Sequence, residues 1–121
     1  MARKISAALS KATTAKETLL TVPTKNTGLW SLMYVISNTG NCTPKVYWYD
    51  HSASITAGSD VEYLVLSGKN LGIGEFVLLN DAEVALQEND EIRVEQSAIE
   101  KVTYICTVEL VPNMATQFHG G

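Results

Sequence analysis

The chain has 121 residues and a mass of 13.2 kDa, with 45% hydrophobic and 18% charged residues and a net charge of −4. That is the size of one domain, with enough apolar surface to exclude wholesale disorder. The longest apolar run, Leu32 to Ile36, is far below the roughly 18 residues of a membrane-spanning helix, so no membrane partner is expected.

The N-terminus carries Arg3, Lys4, Lys11, Lys16 and Lys25 against Glu17 alone, a balance of +4 over residues 1 to 25 that leaves −8 on the remainder. Ser10, Lys11 and Thr13 interrupt it before any signal-peptide core forms, so synthesis in a host cytoplasm without export is expected. Residues 5 to 20 suit either a helix or an extended chain. The reading taken is an extended basic arm over residues 1–17, able to lie on the acidic body of a neighbour.

Thr18 to Val22 is a short strand stopped by Pro23. Leu29 to Ser37 places Trp30, Leu32, Tyr34 and Ile36 on one face and Leu29, Met33 and Val35 on the other, the mark of a central strand. After the turn at Asn38 to Asn41 comes the aromatic run Lys45 to Tyr49, and a hairpin joining the two is the simplest topology. The stretch Asp50 to Asp60 reads as a polar loop. Glu62 to Leu66 and Phe76 to Leu79 are two further strands, separated by a loop with Gly68, Gly72 and Gly74. Glu91 to Glu95 points Ile92 and Val94 inward, and Val102, Tyr104, Cys106, Val108 and Leu110 share one face of the last strand. Strand signals about ten residues apart define an all-β antiparallel sandwich, jelly-roll or immunoglobulin-like. It spans residues 18–112 and is followed by a short tail, 113–121, whose Phe118 is a candidate anchor.

Chemistry-bearing residues are sparse. His51 and His119 have no catalytic motif around them. Cys42, Cys106 and the two histidines lack the close pairing of zinc ligands, so no metal or other cofactor is expected. Both cysteines read as free thiols, Cys106 as a buried apolar group. The run Glu88-Asn89-Asp90-Glu91 is read as a turn whose carboxylates stay in water. Residues 68 to 74 resemble a phosphate loop but lack its lysine-serine pair and helix. Trp30, Tyr34, Tyr47, Trp48 and Tyr49 could form a stacking platform, yet Lys45 is the only cation nearby in sequence, which disfavours nucleic acid.

The order Leu20-Thr21-Val22-Pro23, then a strand ending in Asn38-Thr39, then Lys45 to Tyr49, Tyr63-Leu64-Val65, Leu86 to Val94 and Thr103 to Leu110 resembles small β-sandwich structural proteins of tailed bacteriophage virions. In those, a "TVP" strand, an "xxNT" strand end and an "L-x-x-x-D-x-I-x-V" strand entry recur. The resemblance covers about residues 18 to 111. It implies a non-enzymatic protein of a capsid, neck or tail, present in multiple copies in the virion, whose partners are itself and other virion proteins. Arg3, Lys4, Lys11, Lys16, Trp48, Tyr49 and Phe118 are the expected assembly contacts. The alternative is a carbohydrate- or receptor-binding module using Trp48 and Tyr49; a third class is a small jelly-roll hydrolase or isomerase.

Overall fold

A computed structural model describes residues 3–66 and 69–113, apart from the side chains of residues 81–83. Phe118, His119 and Gly68 lie outside the described residues, as does the tail beyond Asn113.

The described residues form strands β1 (Arg3–Lys11), β2 (Glu17–Thr21), β3 (Asn26–Ser37) and β4 (Pro44–Tyr49), helix α1 (His51–Ala57), and strands β5 (Glu62–Leu66), β6 (Phe76–Leu86), β7 (Glu91–Gln96) and β8 (Val102–Pro112). They build two four-stranded antiparallel sheets, one in the order β1-β8-β3-β6 and the other β2-β7-β4-β5. Every consecutive pair of strands except β4 and β5 is divided between the two sheets. That interleaving is the eight-stranded jelly roll, and it decides between the two sandwich types the sequence leaves open. It also corrects the expected hairpin: β3 pairs with β6 and β8, whereas β4 pairs with β5 and β7. A turn of the right composition can equally carry the chain from one layer to the other.

From Arg3 onward, the expected arm over residues 1–17 is part of the body and not an arm outside it. β1 is extended, but it pairs with β8 along its whole length, from Arg3 opposite Leu110 to Lys11 opposite Val102. The cause lies in its own alternation. Ile5, Ala7 and Leu9 pack against the core, while Lys4, Ser6, Ala8 and Ser10 face out. Lys11 is buried at 4% exposure, its ammonium donating to the carbonyls of Thr13 and Ala15 and lying 3.7 Å from Glu17.

The core lies between the sheets and holds Trp30, Met33, Val35, Tyr104, Cys106, Val108 and Leu110 from one layer and Leu20, Val46, Ile92 and Val94 from the other. Trp30 joins Met33 and Val35 because the β3 register shifts between Trp30 and Leu32. This bulge reverses the alternation, so Trp30 faces in while Leu32, Tyr34 and Ile36 face out. The strict alternation expected for β3 therefore fails at Ser31. The Tyr104 hydroxyl donates to Gln96 Oε1 at 3.0 Å, and the Gln96 amide donates to the carbonyls of Lys11, Ala98 and Glu100. These bonds pin one end of the sandwich.

The stretch expected to be a polar loop contains α1. Asp50 caps its start, accepting from the Ala53 amide at 3.2 Å, and Gly58 closes it in the left-handed conformation (φ 75°) with its amide bonded to the Ser54 carbonyl. Seven residues are too few to show helical periodicity, and the caps are the only local signal. Asp90 is the second surprise. Asn89 makes the turn in the left-handed region (φ 67°), but Asp90 is fully buried instead of hydrated. Its carboxylate accepts from Trp48 Nε1, the His51 amide and the Gln87 amide, each at 2.9 Å. One side chain thus ties the β6–β7 turn to the β4–α1 junction.

Candidate assembly surface

Each sheet turns one face to the core and the other away from it, and the two outer faces differ in kind. On the β1-β8-β3-β6 sheet the register aligns Ala8, Ile105, Tyr34 and Leu78 straight across all four strands. Ile36 and Phe76 sit side by side one step along, and the rings of Tyr34 and Phe76 lie 5.5 Å apart. Phe76 is 55% and Leu78 46% exposed, unusual values for large apolar groups sharing one patch.

The polar groups of this face are largely satisfied within it. Ser6 and Thr107 share a hydrogen bond of 2.9 Å, as do Ser10 and Thr103, and Asn38 donates to Thr103 at 2.8 Å. Lys4 and Glu109 are register partners at one end. A partner could cover these serine and threonine hydroxyls without stranding them.

The outer face of the β2-β7-β4-β5 sheet is an ion-pair network. Arg93 donates to Glu62 at 2.7 Å, Asp60 at 2.8 Å and Glu91 at 2.9 Å, and Lys16 donates to Glu62 at 2.6 Å. Thr18 donates to Glu91, and Tyr47 to Glu95, both at 2.8 Å. Lys16 stands 4.2 Å over the Tyr47 ring and Arg93 3.8 Å over the Tyr49 ring. Burial would raise the Glu62 carboxyl, but hydrogen bonds from Lys16 and Arg93 more than offset it and hold the group below the ordinary value of 4.5. Burial together with the Glu95 bond pushes the Tyr47 phenol up to about 12. Burial opposes the charge on Arg93, yet its bonds to Asp60, Glu91 and Glu62 prevail and raise it.

The expected contact residues are therefore scattered. Arg3 and Lys4 are exposed at the start of β1. Lys11 is buried, and Lys16 is engaged with Glu62 and Tyr47. Trp48 turns inward, pairs with Ile92 and Tyr63, and packs with its ring centroid 5.0 Å from that of Tyr63, the two planes tilted by 46°. Tyr49 is 9% exposed beneath Arg93. The two rings form no open platform, because adjacent residues of a strand point to opposite faces. What sequence reasoning missed is the set Tyr34, Phe76, Leu78 and Ile105. A signal was present: Phe76-Val77-Leu78-Leu79 is apolar at every position, so whichever face turns inward, the other stays apolar.

A second apolar feature lies between the β5 and β6 edges. A cavity of about 70 Å³ is lined by Trp30, Leu32, Met33, Val65, Leu79 and Val84, beside the exposed β5 residues Tyr63 and Leu64. Among the described residues no group of three or more His, Cys, Asp or Glu is placed to hold a metal ion. Burial pushes the Cys106 thiol up to about 11, well away from nucleophilic use at neutral pH.

No family model matches the chain, and no curated protein matches it. Among solved structures, the chain is similar to a protein of Bacillus endospore appendages, described as disulfide-linked pili. The identity is 10%, covering 92% of this chain and 88% of that one, with a TM-score of 0.53. A chain of the T13 particle of infectious bursal disease virus gives 9% identity over 98% of this chain and 41% of its own, TM-score 0.49. The xylanase 10B of Clostridium thermocellum, with its CBM22-1 and GH10 modules, gives 10% identity over 88% and 24%, TM-score 0.47. At such identities the first of these likenesses is one of fold: the chain is a two-sheet antiparallel sandwich.

Proposed function

We propose that this chain is a non-enzymatic structural protein that assembles in many copies, as a component of a phage capsid, neck or tail. The observation that carries the reading is the outer face of the β1-β8-β3-β6 sheet, where Phe76, Leu78, Tyr34 and Ile105 form one apolar surface. Single exposed apolar residues are ordinary, but a contiguous row spanning a sheet marks an interaction surface. The likeness in fold to a pilus protein is in keeping with assembly. Closed repeated assemblies gain strength from many modest contacts, each made by a small subunit.

The sugar-binding alternative relied on Trp48 and Tyr49, and both rings are engaged inside the molecule, one with Asp90 and Tyr63 and the other under Arg93. The assembly reading is tested by counting copies of the chain in purified particles by quantitative mass spectrometry. A dozen or more copies per particle is the expected result. A chain absent from particles that turns over a small substrate would overturn the reading. Removing residues 1–16 is not a clean test, since it deletes strand β1 from the sheet; charge reversal at Arg3 and Lys4 probes the basic N-terminus without that damage.

A further inference from the structure

We infer that the occupant of the apolar outer face is a second copy of this chain, the two β1-β8-β3-β6 sheets packing face to face about a two-fold axis. This deepens the assembly reading and rests on it.

Three observations select a second copy. The first is charge. The chain carries −4, and the other outer face gathers Asp60, Glu62, Glu91 and Glu95 around Arg93, Lys16 and Lys45, so its charges are already paired within one copy and offer a second copy little to bind. On the apolar face, Lys4 and Glu109 are the charged residues among those whose side chains are described, and they oppose each other in register. The described side chains of this face therefore carry no net charge.

The second is polar satisfaction. A two-fold interface brings each group against a copy of the same surface, so an unpaired hydroxyl on one face would meet hydroxyls on the other. Here Ser6 is bonded to Thr107 and Ser10 to Thr103 before any partner arrives. What remains to be covered is the row Ala8, Ile105, Tyr34 and Leu78 with Phe76 and Ile36 beside it, apolar except for the Tyr34 hydroxyl, which can both donate and accept and so can pair with a polar group of the second copy.

The third is size. Four strands at a spacing of about 4.8 Å and about nine residues at ~3.3 Å each give a flat face of roughly 19 by 30 Å. That is roughly 570 Å² per partner before side-chain relief is added, at the low end of the ~600–1,000 Å² per partner of a stable interface. The face is large enough for one dimer contact and too small to leave much of it idle.

The test is the solution mass of the full chain by light scattering over a concentration series, for the wild type, Leu78→Lys, Phe76→Lys and Ile99→Lys. Ile99 is 78% exposed and lies in the β7–β8 loop, away from the face. Circular dichroism and cooperative unfolding confirm that each variant folds; Phe76 and Leu78 are exposed enough that at least one of the two will. The expected result is a wild-type dimer that Ile99→Lys preserves, while a lysine at 76 or 78 raises its dissociation constant roughly 100-fold, since an unpaired ammonium would be buried. A dimer that survives both lysines overturns the inference. A wild-type monomer that still enters particles overturns it too, assigning the face to a different protein while the assembly reading stands. So does a monomer that dimerises once residues 114–121 are removed, which assigns the face to the chain's own tail. A wild-type monomer absent from particles defeats both.

Discussion

The two outer faces of this sandwich are made from strands of equal number and the same antiparallel pairing, yet one is dressed with ion pairs and the other with bare apolar rows. On the β2-β7-β4-β5 sheet the outward polar groups near the centre have partners: Arg93 has three carboxylates, Glu62 has two cations, and the Tyr47 phenol has Glu95 and Lys16. On the β1-β8-β3-β6 sheet the corresponding positions are Ala8, Ile105, Tyr34 and Leu78. The first face is complete within one molecule. The second leaves apolar area in water at about 25 cal/mol per Å², a cost that a covering partner removes. The contrast teaches that the core alone does not account for this molecule: one sheet is finished by its own side chains, and the other leaves large apolar groups exposed.

Substitutions at the seam between the sheets, inside each sheet and on each outer face should separate these roles. The largest effect is expected at the seam. Asp90→Ala removes three charge-assisted hydrogen bonds and leaves the Trp48 indole and two amides unpaired, so urea unfolding should show a loss of about 3 kcal/mol. A loss below about 1 kcal/mol would mean that the carboxylate is not what joins the layers.

Within the apolar-faced sheet, Gly28→Ala would set a methyl group 2.8 Å from Val108 Cγ1 and 3.2 Å from Val22 Cγ2. Overpacking of this kind costs about 1–3 kcal/mol, to be read from the same unfolding curves. On the ion-paired face, Arg93→Ala should cost about 1–2 kcal/mol and less in high salt, because Asp60 is largely exposed while Glu62 and Glu91 are not.

That face also has a pH signature with a definite sign. The Glu62 carboxyl sits below its ordinary value of 4.5 in the folded state, so its stabilisation is fully present above the unfolded value and is lost as pH falls through the folded one. Wild-type stability should therefore decline as pH drops from about 5 into the acid range, and Glu62→Gln should flatten that decline. The smallest effect on folding belongs to the bare face, where Phe76→Lys should change the stability of the monomer, measured at protein concentrations below the dimer dissociation constant, by no more than about 0.5 kcal/mol, even as it alters association. A large loss of stability there would show that the row is part of the fold and not a surface held for a partner.

Much of the inner architecture was legible from the residues. Val102, Tyr104, Cys106, Val108 and Leu110 alternate without interruption and are all buried, as are Ile92 and Val94. The strand β1 read instead as an arm: Ile5, Ala7 and Leu9 alternate, but the small and polar residues between them gave a weak signal that the cluster of cations obscured. The helix α1 announced itself only through Asp50 and Gly58. The bulge at Ser31 left no trace in composition, yet it moved Trp30 into the core. Asp90 read as a hydrated turn residue because acidic side chains at turns usually are; only the approach of Trp48 from β4, far off in sequence, gave it somewhere else to go.

The amino-acid sequence by itself determined that this chain would be a β sandwich and which residues of its later strands would be inside, because alternation with a period of two is a local property of an extended chain. It did not determine which strands would be neighbours, and so could not show that residues 8, 105, 34 and 78 would form a single row. Strand order decides that, and strand order is settled by how two layers close over one core, through contacts between residues as distant in sequence as Arg3 and Leu110. The surface on which the proposed function rests is for that reason a product of the tertiary structure.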